Sequence, residues 1–153
     1  MSIYTYLRRD HRRVKDLLQQ IEELDPDQIS LRDELFNKLK TQVILHAKAE
    51  EKIFYSPLQR FSLTEEEIKQ AREEHAEVEK MLERLSERDF KGAAWFQLFE
   101  SMANILRHHI IEEETQIFED AETELSSDKA QEMERAMISE KKAVEKKMDP
   151  DLR

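Results

Sequence analysis

Six residues of this chain have the chemistry of metal ligands, and their spacing is duplicated. The first half carries His11, then His46 and Glu50; the second carries His75, then His109 and Glu113. His75 follows His11 by 64 residues, while His109 and Glu113 follow His46 and Glu50 by 63. The flanks repeat as well: Asp10-His11-Arg12-Arg13-Val14 parallels Glu74-His75-Ala76-Glu77-Val78, and His46 to Glu51 parallels His109 to Glu114. A lone histidine on an apolar face is usually a hydrogen-bonded core residue, and one His-x3-Glu pair is usually exposed. Independent surface residues have no reason to keep a common register, so the duplicated set points to one shared metal centre.

The spacing supplies the geometry. On an α-helix, residues i and i+4 share a face and lie about 6 Å apart along the axis. His46 and Glu50 therefore point the same way, as do His109 and Glu113, and each pair offers an imidazole nitrogen and a carboxylate. With His11 and His75 from neighbouring helices, the set is four nitrogens and two carboxylates able to bridge, which suits two iron ions. Leu106, Met102, Phe99 and Trp95 precede His109 on one helical face, and Val43, Leu39 and Phe36 precede His46 likewise. The histidines thus sit within core-facing stripes, where a bare glutamate is costly to bury unless protonated, paired or metal-bound. His108 lies about 100° round the helix from His109 and is expected to be exposed.

These residues need long helices to hold them. One glycine and three prolines in 153 residues leave few breaks. Apolar periodicity predicts helices over 2–24, 30–55, 64–87 and 89–121. Asp25-Pro26-Asp27 ends the first and Pro57 the second. Ser30 and Asp89 are the expected N-caps of the second and fourth, with Gly92 in the fourth helix's first turn. Thr64 and Glu67 make a capping box for the third. The expected fold is all-α: an antiparallel up-down-up-down four-helix bundle over 1–125 with a C-terminal helical extension over 126–153. That fifth helix starts at Ser126 or Ser127 and carries a weak stripe of Ala130, Met133, Met137, Val144 and Met148. It lies outside the duplicated frame, so it is expected to cap the bundle, meet a protein partner or self-associate rather than serve the metal.

Composition narrows the chemistry. A net charge of −10 disfavours nucleic acid or anionic membrane as a partner. The absence of cysteine excludes disulfides, thiolate catalysis and iron–sulfur clusters. No apolar run reaches the ~20 residues that span a bilayer, and no signal peptide opens the chain, so a cytoplasmic location is expected. There is no His-Glu-x-x-His zincin motif, no Glu-x-x-His pair on the metal face and no glycine-rich phosphate loop.

Asp10-His11, His46-x3-Glu50-Glu51, Glu74-His75 and His109-x3-Glu113-Glu114, with Tyr55 and Phe118 each nine positions past a motif histidine, resemble the hemerythrin-like HHE cation-binding domain over about residues 3–120. The resemblance implies an antiparallel four-helix bundle around a non-haem, carboxylate-bridged di-iron centre. It implies His11, His46, Glu50, His75, His109 and Glu113 as the ligands. It also implies binding or sensing of dioxygen or a related small oxidant, or iron handling. Two departures stand out: oxygen-carrying hemerythrins have a histidine where this chain has Glu79, and an aspartate bridge where it has Glu113. Both disfavour simple oxygen carriage and leave Glu79 open as a seventh ligand. Two alternatives remain, a di-iron oxidoreductase consuming peroxide or nitric oxide, and a helical interaction protein with a structural metal.

Overall fold

The computed structural model describes residues 2–148, and these are helical with no strand among them. Helix α1 spans Ile3–Glu22, and the side chain of Ser2 caps it by accepting from the Thr5 amide. Helix α2 spans Ile29–Glu50, widens into a π-helical turn over Glu51–Tyr55, and closes with one α-turn, Ser56–Leu58. Helix α3 spans Glu65–Leu85. Helix α4 spans Ala93–Glu112, widens over Glu113–Ile117 in the same way, and ends with Phe118–Glu124. Helix α5 spans Ser127–Lys147 and is capped by Ser126, which accepts from the Lys129 amide.

Cross-helix pairs give the directions. Glu74 and Leu85 of α3 meet His109 and Trp95 of α4; His11 and Glu22 of α1 meet Glu114 and Arg107 of α4's chain segment. Climbing one helix means descending its neighbour, so these pairs are antiparallel. Helix α1 packs on α2, α2 on α3, α3 on α4 and α4 on α1, which closes a four-helix ring, and α5 lies against α1 and α2. Among the described residues no helix is long and apolar enough to cross a membrane.

Two apolar clusters fill the ring. One gathers Val14, Leu18, Phe36, Leu39, Val43, Leu82, Trp95, Phe99, Met102 and Leu106. The other gathers Ile3, Tyr4, Leu7, Phe54, Tyr55, Ile68, Phe118 and, from α5, Ala130, Met133 and Met137. Val144 and Met148 of the expected α5 stripe are only half-buried. Apolar packing above and below a polar layer fixes the side chains of that layer, because close-packed interiors leave little room for alternative rotamers.

Several local expectations are corrected. Pro57 does not stop α2: the π turn precedes it, and the helix passes through to Leu58. The widened turn gives the proline ring space that an α-turn's carbonyl would occupy. Helix α2 starts at Ile29 behind Gln28, not behind a Ser30 cap. Asp89 does not cap α4; Gly92 does, at φ +74°, a conformation that strains any residue with a Cβ. Thr64 precedes α3 but makes no side-chain cap; its hydroxyl donates back to the Leu58 carbonyl instead, and Glu67 faces Gln116 and Asp120.

Candidate metal centre

All six residues singled out from the sequence converge between the two apolar clusters. They fall into two groups that share Glu50: His11, His46, Glu50 and Glu113 form the first, and Glu50, His75 and His109 the second. Glu50 Oε1 lies 3.1 Å from His46 Nε2 and 3.4 Å from His75 Nε2. Glu113 Oε1 lies 3.2 Å from His11 Nε2, and its Oε2 lies 3.4 Å from His109 Nε2. Each glutamate therefore faces one imidazole of each group, as a bridging carboxylate must. Glu50 and Glu113 are both 0% exposed.

The opposite ring nitrogens are all occupied. His11 Nδ1 donates to Glu114 at 2.6 Å, His46 Nδ1 to Asp10 at 2.9 Å, His75 Nδ1 to Glu51 at 3.0 Å and His109 Nδ1 to Glu74 at 2.7 Å. An ionised carboxylate only accepts, so each bond puts the proton on Nδ1 and leaves the Nε2 lone pair facing the centre. Such outer carboxylates fix the tautomer and orientation of metal-binding histidines. The pattern is itself duplicated: Asp10 and Glu74 each precede a motif histidine and serve the histidine of the next helix. Glu51 and Glu114 likewise follow an inward-facing glutamate and reach the histidine of a neighbouring helix.

The π turns make that division of labour feasible. Adjacent residues on an α-helix point about 100° apart. The turns begin at Glu51 and Glu113, beside the site, and locally widen the helix. Glu50 and Glu113 then face inward while Glu51 and Glu114 reach outer nitrogens.

The donor set fits a metal pair. His11 Nε2, His46 Nε2, both oxygens of Glu50 and Oε1 of Glu113 are buried with no hydrogen-bond partner. His75 Nε2 and His109 Nε2 face each other at 3.1 Å although both rings already donate through Nδ1. Two opposed lone pairs require a proton or a cation between them. Without metal, protons fill that role. Burial lowers His46, but the charge of Glu50 and the bond to Asp10 outweigh it and lift the ring to about 10. Burial likewise lowers His109, while bonds to Glu113 and Glu74 lift it to about 10. Burial raises Glu113, yet its close polar contacts with Glu50, His109 and His11 hold it well below the usual carboxylate range. The pocket is built to hold positive charge.

Aromatic rings line the site in register. Tyr55 stacks on His75 at 5.2 Å and Phe118 on His11 at 6.4 Å. The Tyr55 hydroxyl donates a short bond to Glu113 and lies 3.3 Å from His109 Nε2. A cavity of about 30 Å³ adjoins the four imidazoles, walled by Val14, Val43, Val78, Leu106 and Ile110. It is large enough for one water or a diatomic molecule.

Other expectations divide. His108 is exposed, with its side chain paired to Glu112, as its helical angle predicts. Glu79, left open as a seventh ligand, is exposed and outside the site. Helix α5 was expected to stay clear of the metal site and does not: Lys141 donates a short bond to Asp10, the carboxylate behind His46. Asp10, Glu51, Glu74 and Glu114 hold the outer nitrogens, and their repetition in the same frame is the sequence signal for that role. Nothing in the sequence marks Lys141.

The fold and site together define a four-helix-bundle metal protein. The chain belongs to the hemerythrin HHE cation binding domain family, whose model matches residues 2–121. It resembles the crystal structure of a hemerythrin HHE cation binding domain-containing protein from Mycobacterium kansasii, with a TM-score of 0.79 at 20% identity over 100% of this chain and 95% of that one. It is also 23% identical over 149 residues to a DNA nickase from Nostoc sp., covering 97% of this chain but only 41% of the nickase.

Proposed function

We propose that the chain binds two non-haem iron ions through His11, His46, Glu50, His75, His109 and Glu113, and uses them to bind or sense dioxygen or a related small oxidant. One observation carries this reading: four imidazole Nε2 atoms and two buried carboxylates converge while every Nδ1 is engaged by an outer carboxylate. His11 and His46 would hold one ion and His75 and His109 the other, with Glu50 and Glu113 spanning both. Nitrogen and carboxylate donors without thiolate suit iron. Bound iron would supply reversible electron transfer to a small oxidant. The 30 Å³ apolar cavity beside the imidazoles supports a diatomic-sized ligand. Its aliphatic walls limit water, which slows proton-coupled loss of electrons. Metal analysis of protein made with abundant iron tests the reading: about two irons per chain are expected, with near-ultraviolet absorption of bridged ferric iron. Stoichiometric zinc without iron overturns it.

A second reading, a di-iron oxidoreductase consuming peroxide or nitric oxide, is supported by Tyr55, a buried phenol bonded to Glu113 at the site. Many turnovers on added peroxide favour it; a single stoichiometric oxidation favours binding or sensing. The likeness to the Nostoc nickase extends to two fifths of that protein, and a net charge of −10 opposes contact with DNA phosphates. We read that likeness as one of the helical bundle.

A further inference from the structure

We infer that Lys141 on α5 is a positioning residue for one of the two metal positions, holding Asp10 against His46 so that the His46 Nε2 lone pair stays aimed at the ion. The inference rests on the proposed metal site and concerns a residue 131 positions from the carboxylate it touches.

The geometry forms a relay. Lys141 Nζ donates to Asp10 Oδ2; the same oxygen accepts from His46 Nδ1 at 2.9 Å; His46 Nε2 faces Glu50 at 3.1 Å. Asp10 is 2% exposed and the Lys141 side chain 15%, so water does little to solvate either charge. The ammonium also lies 4.9 Å from the centre of the Tyr6 ring, which fixes it from the other side. A second ion pair, Lys52 with Glu140 at 3.1 Å, ties the same turn of α5 to the π turn beside Glu50.

The duplicate half provides an internal control. Glu74 occupies the position equivalent to Asp10 and holds His109 in the same way. Glu74 borders a groove open to solvent that Lys69 also lines, and the neighbours acting most on its charge are His109, Gln70 and His108. Asp10 is buried instead: α5 packs against α1, and the same helix brings the compensating cation Lys141. A buried carboxylate held by one imidazole alone is free to turn away, and that rotation frees His46 to place its proton on Nε2. That tautomer has no lone pair on Nε2 to offer an ion in the centre. Lys141 removes this alternative, so α5 contributes to the metal site and not only to the apolar core.

The test uses full-length, iron-loaded protein challenged with increasing chelator, with iron retained and the ferric spectrum read together. Wild-type protein should hold about two irons. Lys141→Met should release one of them at about tenfold to a hundredfold lower chelator concentration, the effect typical of losing an outer partner of a ligand. The second iron should stay at the wild-type position. Lys141→Arg should restore retention, and Glu140→Gln, which loosens α5 without touching Asp10, should behave as wild type. In an Asp10→Asn background, Lys141→Met should add no further loss. Should Lys141→Met not fold, Lys141→Gln is read in the same way. Release of both irons equally, wild-type retention in Lys141→Met, or equal loss in Glu140→Gln overturns the inference. Wild-type protein holding no iron overturns the proposed metal site instead.

Discussion

The two halves of the duplicated site share a plan and differ in their surroundings. Both halves use histidine, histidine and glutamate at the same offsets, both carry a π turn, and both stack an aromatic ring on a histidine. Arg8 lies over Phe118 as Arg72 lies over Tyr55. The first half is roofed by α5 and receives Lys141. The second opens to an acidic groove lined by Glu66, Glu67, Glu73 and Glu74 that reaches His109. Tyr55 replaces the phenyl of Phe118 with a phenol, and that phenol donates a short bond to Glu113. Duplication thus fixed the inner ring of histidines and glutamates, while the outer groups diverged and make the two halves of the site inequivalent.

The bridging residues should be least tolerant. Glu50→Ala or Glu113→Ala should abolish binding of both metals, because each carboxylate faces both groups. In metal-free protein the loss should cost about 3–5 kcal/mol, since buried imidazolium is left without its partner. Denaturant melts and iron analysis read both effects; a variant retaining one tight iron breaks the bridging assignment.

Next come the adjacent histidines of α4. His109→Ala should cripple iron binding, whereas His108→Ala should retain iron and change stability by under ~0.5 kcal/mol. The substitutions have identical composition, so non-specific effects cancel. If His108→Ala loses iron and His109→Ala keeps it, the helical register is wrong.

The phenol–phenyl difference is testable by erasing it. Tyr55→Phe should keep both irons but lower the stability of the metal-free protein by about 1.5–3 kcal/mol, the range for a bond to a charged group. An unchanged melt in chelator would show that the bond contributes nothing.

The smallest effect concerns the groove. Burial and the bond to Asp120 raise Glu67 to about 7. A carboxylate raised on folding stabilises below its unfolded value, and that contribution is lost as pH climbs through the folded one. Glu67→Gln should therefore melt like wild type near pH 4 and slightly higher at pH 8. A lower melting temperature at pH 8 would contradict this sign.

The inner site was readable because duplication left two independent copies of one spacing, and because i and i+4 must share a helix face. The bundle followed from apolar stripes and sparse glycine. Helix ends were read less well. Cap-forming residues identify a boundary only when no tertiary partner competes, and Thr64 found one in the Leu58 carbonyl. The π turn at Glu113 carries no glycine or proline to announce it. Asp10, Glu51, Glu74 and Glu114 act across helices, so local periodicity is blind to their partners. Lys141 depends on how α5 docks, which no repeat specifies.

The central claim is a dinuclear iron centre shared by the two halves, and anomalous diffraction at the iron edge tests it most directly. The account predicts two iron peaks per chain, one against His11 and His46, the other against His75 and His109, with Glu50 and Glu113 touching both. A single peak, or peaks that scatter as zinc after iron-replete expression, would contradict it.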